Sequence, residues 1–269
     1  MITNKSLGQH FLFDRTVLTE IVNFAGADPD GTVLEIGPGL GTLTSVLLKN
    51  FNHVIAVEYD ADLAAKLPAQ FPGHENHLTV VSDDFLQFDL NQLPAGYHVV
   101  ANIPYYITAK IVHKLLTAEN KPKNATLLVQ KEVAERLAAA PGDLSILAIS
   151  AQVFAKVSLG PVVKRGYFTP PPKIDSQVVK LELYSENLIS DLDEKEFFRI
   201  VKLGFSSPRK KVLKNLAGGL HVETAKMQEI FAKLNINENA RAEDLTIENW
   251  KNILKAVVIF FSNENNEKF

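Results

Sequence analysis

The run Thr32-Val33-Leu34-Glu35-Ile36 leads without a break into Gly37-Pro38-Gly39-Leu40-Gly41-Thr42, and apolar residues at helical spacing follow from Leu43 to Leu48. A buried strand, a glycine turn and a helix in that order commit a chain to strands joined by helical crossovers. The pattern repeats. His53 to Glu58 reads as a second strand, followed by an Ala-rich helical segment at 61–67. Leu78 to Val81, Tyr97 to Ala101 and Ala125 to Gln130 read as further strands, with helices at 108–117 and 131–140. Ser176 to Tyr184 alternates with period two, Val179, Leu181 and Leu183 on one side, as an edge or antiparallel strand does. The fold class expected is α/β, a mostly parallel sheet covered by helices.

After Tyr184 the chain turns polar and acidic, and only helical patterns follow, at 194–204, 208–217, 222–234 and 246–261, with Asp191 or Asp193 as a cap. We expect a first domain over 1–184 and a small all-helical domain over 185–269. A length of 269 residues, 46% of them hydrophobic, suffices for both cores.

The chain has no cysteine, so disulfides, thiolate metal sites and cysteine nucleophiles are excluded. Methyl transfer to a pyrimidine carbon by its usual, cysteine-dependent route is excluded with them. No metal is expected. The first residues lack the apolar core of a signal peptide. Val257 to Phe261 is too short to span a membrane and reads as a buried helix end. A cytoplasmic monomer is the expectation.

The glycine turn can bring backbone close to a ligand, beside the open N–H groups of a helix start. Glu58 lies at the tip of the second strand, 21 residues after Gly37, where a carboxylate can accept both hydroxyls of a ribose. The dinucleotide pattern would need a glycine at Thr42, and Glu35 ahead of the turn would repel a pyrophosphate. That carboxylate suits S-adenosylmethionine, whose amino-acid end is cationic. Without a ligand the same residues make an ordinary glycine-rich turn. Asp84, with Asp83 as the alternative, follows the third strand and can accept from the adenine amine of such a cofactor.

Asn102-Ile103-Pro104-Tyr105-Tyr106 ends the next strand. The exocyclic amine of adenine is a poor nucleophile because its lone pair is delocalised into the ring. Two acceptors on its hydrogens, the Asn102 side-chain oxygen and the Ile103 carbonyl, would favour a tetrahedral nitrogen. Pro104 stiffens the loop, and Tyr105 offers a face on which an extruded base can stack. The bland alternative is an Asn-x-Pro turn followed by two core tyrosines.

Six segments in one order carry a resemblance over nearly the whole chain: Leu7-Gly8-Gln9-His10-Phe11-Leu12, Glu35 to Thr42, Asn102 to Thr108, Gln130 to Arg136, Phe168-Thr169-Pro170-Pro171-Pro172-Lys173-Ile174-Asp175-Ser176, and Phe205-Ser206-Ser207-Pro208-Arg209-Lys210. The chain resembles the small-subunit ribosomal RNA adenine dimethyltransferases, which are similar to the erythromycin-resistance rRNA methyltransferases. The resemblance implies a Rossmann-like S-adenosylmethionine-dependent methyltransferase sheet and N6,N6-dimethylation of two adjacent adenines near the 3′ end of 16S rRNA. It implies that His10, where the family often has asparagine, and Leu12 border the cofactor together with Gly37, Glu58, Asp84 and Asn102. It also implies that Phe168 sandwiches the target adenine opposite Tyr105. One departure is a loop after Gly142 that is shorter than the family's, Asp143 leading straight to Leu144-Ser145.

The net charge of -3 does not advertise an RNA binder, but the cations are clustered. Arg199, Lys202, Arg209, Lys210, Lys211 and Lys214 form one group; Lys121, Lys123, Lys131 and Arg136 a second; Lys164 and Arg165 precede Phe168. Such groups neutralise phosphates, or simply solvate a helix face. The 199–214 group is favoured for RNA because the resemblance has a basic segment there.

Overall fold

The computed structural model describes residues 10–266, with side chains described through 260. Leu7, Gly8 and Gln9 of the first segment lie outside the described residues. Those described fall into two packed units, one made of residues up to 138 with 154–185, the other of 139–153 with the chain from 186 onward. The segment 139–153, which the expected boundary assigns to the first domain, thus packs with the later helices.

The first unit is built on seven strands: β1 (Thr32–Ile36), β2 (His53–Glu58), β3 (Leu78–Ser82), β4 (His98–Asn102), β5 (Asn124–Gln130), β6 (Ala155–Val163) and β7 (Ser176–Leu183). Their order across the sheet is β3-β2-β1-β4-β5-β7-β6. The first five are parallel and the last two antiparallel to their neighbours. Strand β7 is antiparallel as its alternation implies, but it lies inside the sheet between β5 and β6. The edge on that side belongs to β6, which carries Gly160 and Pro161 at a register shift between Leu159 and Val162. Proline lacks the ladder donor and is tolerated at an edge or bulge, so these residues mask the strand in the sequence.

Helix α1 (Arg15–Ala25) starts on Asp14, whose carboxylate accepts from the N–H groups of Thr16 and Val17. It buries Leu18, Ile21, Val22 and Ala25, the spacing of one helical stripe, and ends on Gly26 in the left-handed region. Helices α2 (Thr44–Asn50), α3 (Ala61–Lys66), α4 (Thr108–Thr117) and α5 (Lys131–Leu137) follow strands β1, β2, β4 and β5. The strands run outward one way from β1 to β3 and the other way from β4 onward, so the winding reverses between the parallel strands β1 and β4, the switch point where their carboxyl ends leave a crevice. A short antiparallel ladder pairs Phe11 with Thr169 and Leu12 with Phe168.

In the second unit, α6 (Ile146–Gln152) is capped by Ser145, and the N–H groups of Gly142 and Leu144 both donate to the Glu243 carbonyl. The short loop after Gly142 is therefore used within this unit. Helices α7 (Glu194–Gly204), α8 (Val212–Leu220), α9 (Thr224–Lys233) and α10 (Ile247–Asn266) complete it. Asp193 is the cap of α7, accepting from Glu196 N–H. Helix α8 begins at Val212 rather than 208, because residues 205–211 form turns held by Asn215, whose side chain donates to the Gly204 and Ser207 carbonyls. The expected buried helix end is a correction: Val257 is buried, but Val258 and Ile259 are more than half exposed. Among the described residues no helix is long and apolar enough to cross a membrane.

Candidate active site

The carboxyl ends of β1, β2 and β4 and the loop after β3 surround a cavity of about 340 Å³. Its wall includes His10, Leu12, Glu35, Gly37, Glu58, Asp84, Asn102, Ile103 and Tyr105, so nearly all the residues singled out in the sequence meet in one place.

Gly37 has φ +65° and its N–H donates to the Val57 carbonyl, which ties the turn to the second strand. A Cβ there would meet no atom within 4 Å, so glycine serves the left-handed backbone and open approach to the cavity rather than internal packing. At Gly39 a Cβ would lie 2.9 Å from the Phe11 ring, so this glycine lets residues 11–12 cross over the turn. Glu58 is buried; one carboxylate oxygen accepts from Gly39 N–H and the other from Asp60 N–H, each at 2.9 Å. Each oxygen keeps lone-pair capacity for a ribose hydroxyl. Glu35 is fully buried and accepts from the Thr44 hydroxyl at 2.6 Å. Burial pushes its carboxyl up to about 8, with the charge of Glu58 adding to the rise and the Thr44 bond opposing it.

Of the two aspartates, Asp84 lines the cavity, while Asp83 is exposed and accepts from Asp84 N–H. Asp84 in turn accepts from Leu86 N–H, which makes a tight turn. The turn has an anchor that the sequence reading missed. Lys114 of α4 donates to the Leu86 carbonyl at 3.0 Å and to that of Phe88, and its ammonium lies 5.3 Å from the Phe85 ring centroid. Partial burial lowers its pKa. The clue was available, since Lys114 interrupts the apolar stripe of α4 three residues after Ile111.

The acceptor loop leaves β4 at Asn102. The Asn102 amide donates to the His10 carbonyl at 3.1 Å, leaving its oxygen to accept. Pro104, at φ -61°, leads into a single turn of 3₁₀ helix at Tyr105–Ile107. The Tyr105 hydroxyl is hydrogen-bonded to Ser176 at 2.6 Å, and the His10 ring stacks on Tyr105 with centroids 5.6 Å apart and planes at 25°. His10 Nδ1 lies 2.8 Å from the Pro170 carbonyl. Phe168 is the site residue not brought to the cavity. It is 3% exposed, belongs to the core packed around Leu12, and does not line the wall. Tyr106, beside Tyr105, is well exposed on the rim.

The chain matches the family described as ribosomal RNA adenine dimethylase over residues 2–258. It is 38% identical over 252 residues to the ribosomal RNA small subunit methyltransferase A of Dehalococcoides mccartyi, covering 93% of this chain and 86% of that one. Among solved structures it is similar to the 23S rRNA methyltransferase ErmE, with a TM-score of 0.75 and 28% identity over 91% of this chain and 98% of that one. A dimethyladenosine transferase from Plasmodium falciparum also gives 0.75, with 27% identity over 95% of this chain and 98% of that one. With these relatives, and with the cavity standing at the strand ends of a methyltransferase sheet, the chain belongs to the ribosomal RNA adenine dimethylase family and is an S-adenosylmethionine-dependent rRNA adenine dimethyltransferase.

Proposed function

We propose that this enzyme dimethylates N6 of two adjacent adenines near the 3′ end of the 16S rRNA, acting as a cytoplasmic monomer on the small ribosomal subunit. The observation that carries the reading is one cavity that holds both a ribose-accepting carboxylate, Glu58, and the Asn102–Tyr105 loop. The name shared with the Dehalococcoides relative supports the small subunit as substrate.

When bound, S-adenosylmethionine supplies an electrophilic methyl on a sulfonium. Glu58 holds the ribose hydroxyls and Asp84 the adenine amine, while Gly37, His10 and Leu12 shape the walls and Glu35 faces the cationic end. On the acceptor side the Asn102 oxygen and the Ile103 carbonyl hold the hydrogens of the target amine, and Tyr105 stacks the base. Phe168 can join that stack only if Leu12, which pairs with it, shifts aside.

The test is incubation of labelled S-adenosylmethionine with undermethylated small subunits, followed by nucleoside analysis. Dimethyladenosine in 16S rRNA is expected. Asn102→Ala should abolish transfer while RNA binding survives. The equal likeness to ErmE favours a second reading, large-subunit rRNA as substrate, and label confined to that RNA would select it. No transfer by the wild-type chain would point to an assembly factor without catalysis.

A further inference from the structure

We propose that Ser176 is a positioning residue for methyl transfer: its hydroxyl fixes the tilt of the Tyr105 ring on which the target base stacks. The inference rests on the acceptor-site reading above. Tyr105 and Ser176 are 71 residues apart in sequence, and their oxygens lie 2.6 Å apart. Ser176 is fully buried and does not line the cavity, so it reaches the reaction only through the tyrosine. It opens β7 and is paired in register with Gln130 of β5 on one side and Val163 of β6 on the other. A group on a backbone pinned from both sides is a fixed reference point for a loop.

The ring is restrained a second time on its face by His10, which is itself held to the Pro170 carbonyl. A phenylalanine would stack a base as well as a tyrosine does. The hydroxyl of Tyr105 therefore serves orientation rather than contact. The acceptors sit at 102 and 103, within three residues of the ring, so the tilt of the base decides whether its amine meets both. Misplacement on this scale costs rate rather than cofactor affinity.

The experiment measures kcat and KM on undermethylated small subunits, the Kd of S-adenosylmethionine by calorimetry, and Tm. It compares wild type, Ser176→Ala, Ser176→Thr, Tyr105→Phe and the Ser176→Ala/Tyr105→Phe double variant. Each loss of a hydroxyl should lower kcat by about tenfold to a hundredfold. The double variant should lose no more than the worse single, as for two halves of one hydrogen bond. Cofactor affinity should stay within about twofold, and Ser176→Thr should restore much of the rate. Wild-type kcat in Ser176→Ala, multiplying losses in the double variant, or a Ser176→Ala defect in Tm and cofactor affinity that Tyr105→Phe does not share would overturn the proposal. Failure of the acceptor-site reading is told apart by the wild-type chain itself, which would then transfer no methyl to adenine in the RNA of either subunit; that result sinks both.

Discussion

Glu35 carries its proton at neutral pH, because burial outweighs the Thr44 hydrogen bond and holds its carboxyl near 8 against an ordinary value of 4.5. The sign follows from which state binds the proton. Below about 4.5 both folded and unfolded chains hold it; between 4.5 and 8 only the folded chain does. Stability should therefore fall as pH rises through that window, by up to about 1.4 kcal/mol per pH unit from this group. Glu35→Gln should flatten the slope in urea titrations run from pH 5 to 8. A cationic ligand group beside Glu35 would favour the ionised form, so S-adenosylmethionine binding should release a proton near pH 7. Calorimetry in buffers of different ionisation enthalpy reads that proton, and Glu35→Gln should abolish it. At this scale the sequence was informative where position alone gives meaning. Glu58, Asp84 and Asn102 each sit at or just past the end of a strand and could be placed by counting. Lys114 and Ser176 could not, since each acts on a partner 26 to 71 residues away. Phe168 shows the converse: a motif supplied its role, but not its burial beneath the Leu12 ladder.

The elements most legible from sequence are those whose local pattern agrees with their final surroundings. Parallel strands buried on both faces read as apolar runs, and β1 and β2 fall where those runs predict, while β3, at the sheet edge with no buried residue, still shows in Leu78-Thr79-Val80-Val81. Strand β6 was hidden by Gly160-Pro161, and the start of α8 by turns that only Asn215 and its carbonyl partners define. Helix α7 closes on Gly204, where a Cβ would stand 2.3 Å from the buried Trp250 ring, with Phe205 stacked on that ring at 5.9 Å. Helix propensity alone predicts that alanine stabilises this position by about 1 kcal/mol. Overpacking against an indole costs about 1–3 kcal/mol and should win. Gly204→Ala should thus lower the urea midpoint, and an unchanged or raised midpoint would show that Trp250 can yield.

For the whole molecule, a formal charge of -3 hides an uneven surface. Arg199, Lys202, Arg209, Lys210, Lys211 and Lys214 are all exposed in the second unit, and Arg199 is bound to Glu196 at 2.7 Å. Replacing Arg209, Lys210 and Lys211 by alanine should weaken RNA binding and lower the salt slope of log Kd by about one for each phosphate no longer neutralised, with S-adenosylmethionine affinity unchanged. Filter binding between 50 and 200 mM salt, about the range where such slopes are read, checks it. Because synthesis runs from the N-terminus, the ladder between residues 11–12 and 168–169 can form only late in it. A nascent chain has Glu58 by residue 58 and the Asn102–Tyr106 loop by 106, yet nothing for Leu12 to pair with until 168 emerges. The part of the cavity wall made by Phe11 and Leu12 therefore stays unpaired while most of the sheet is already translated, and a chain stalled before that point would carry the Asn102–Tyr105 loop with that wall unfixed.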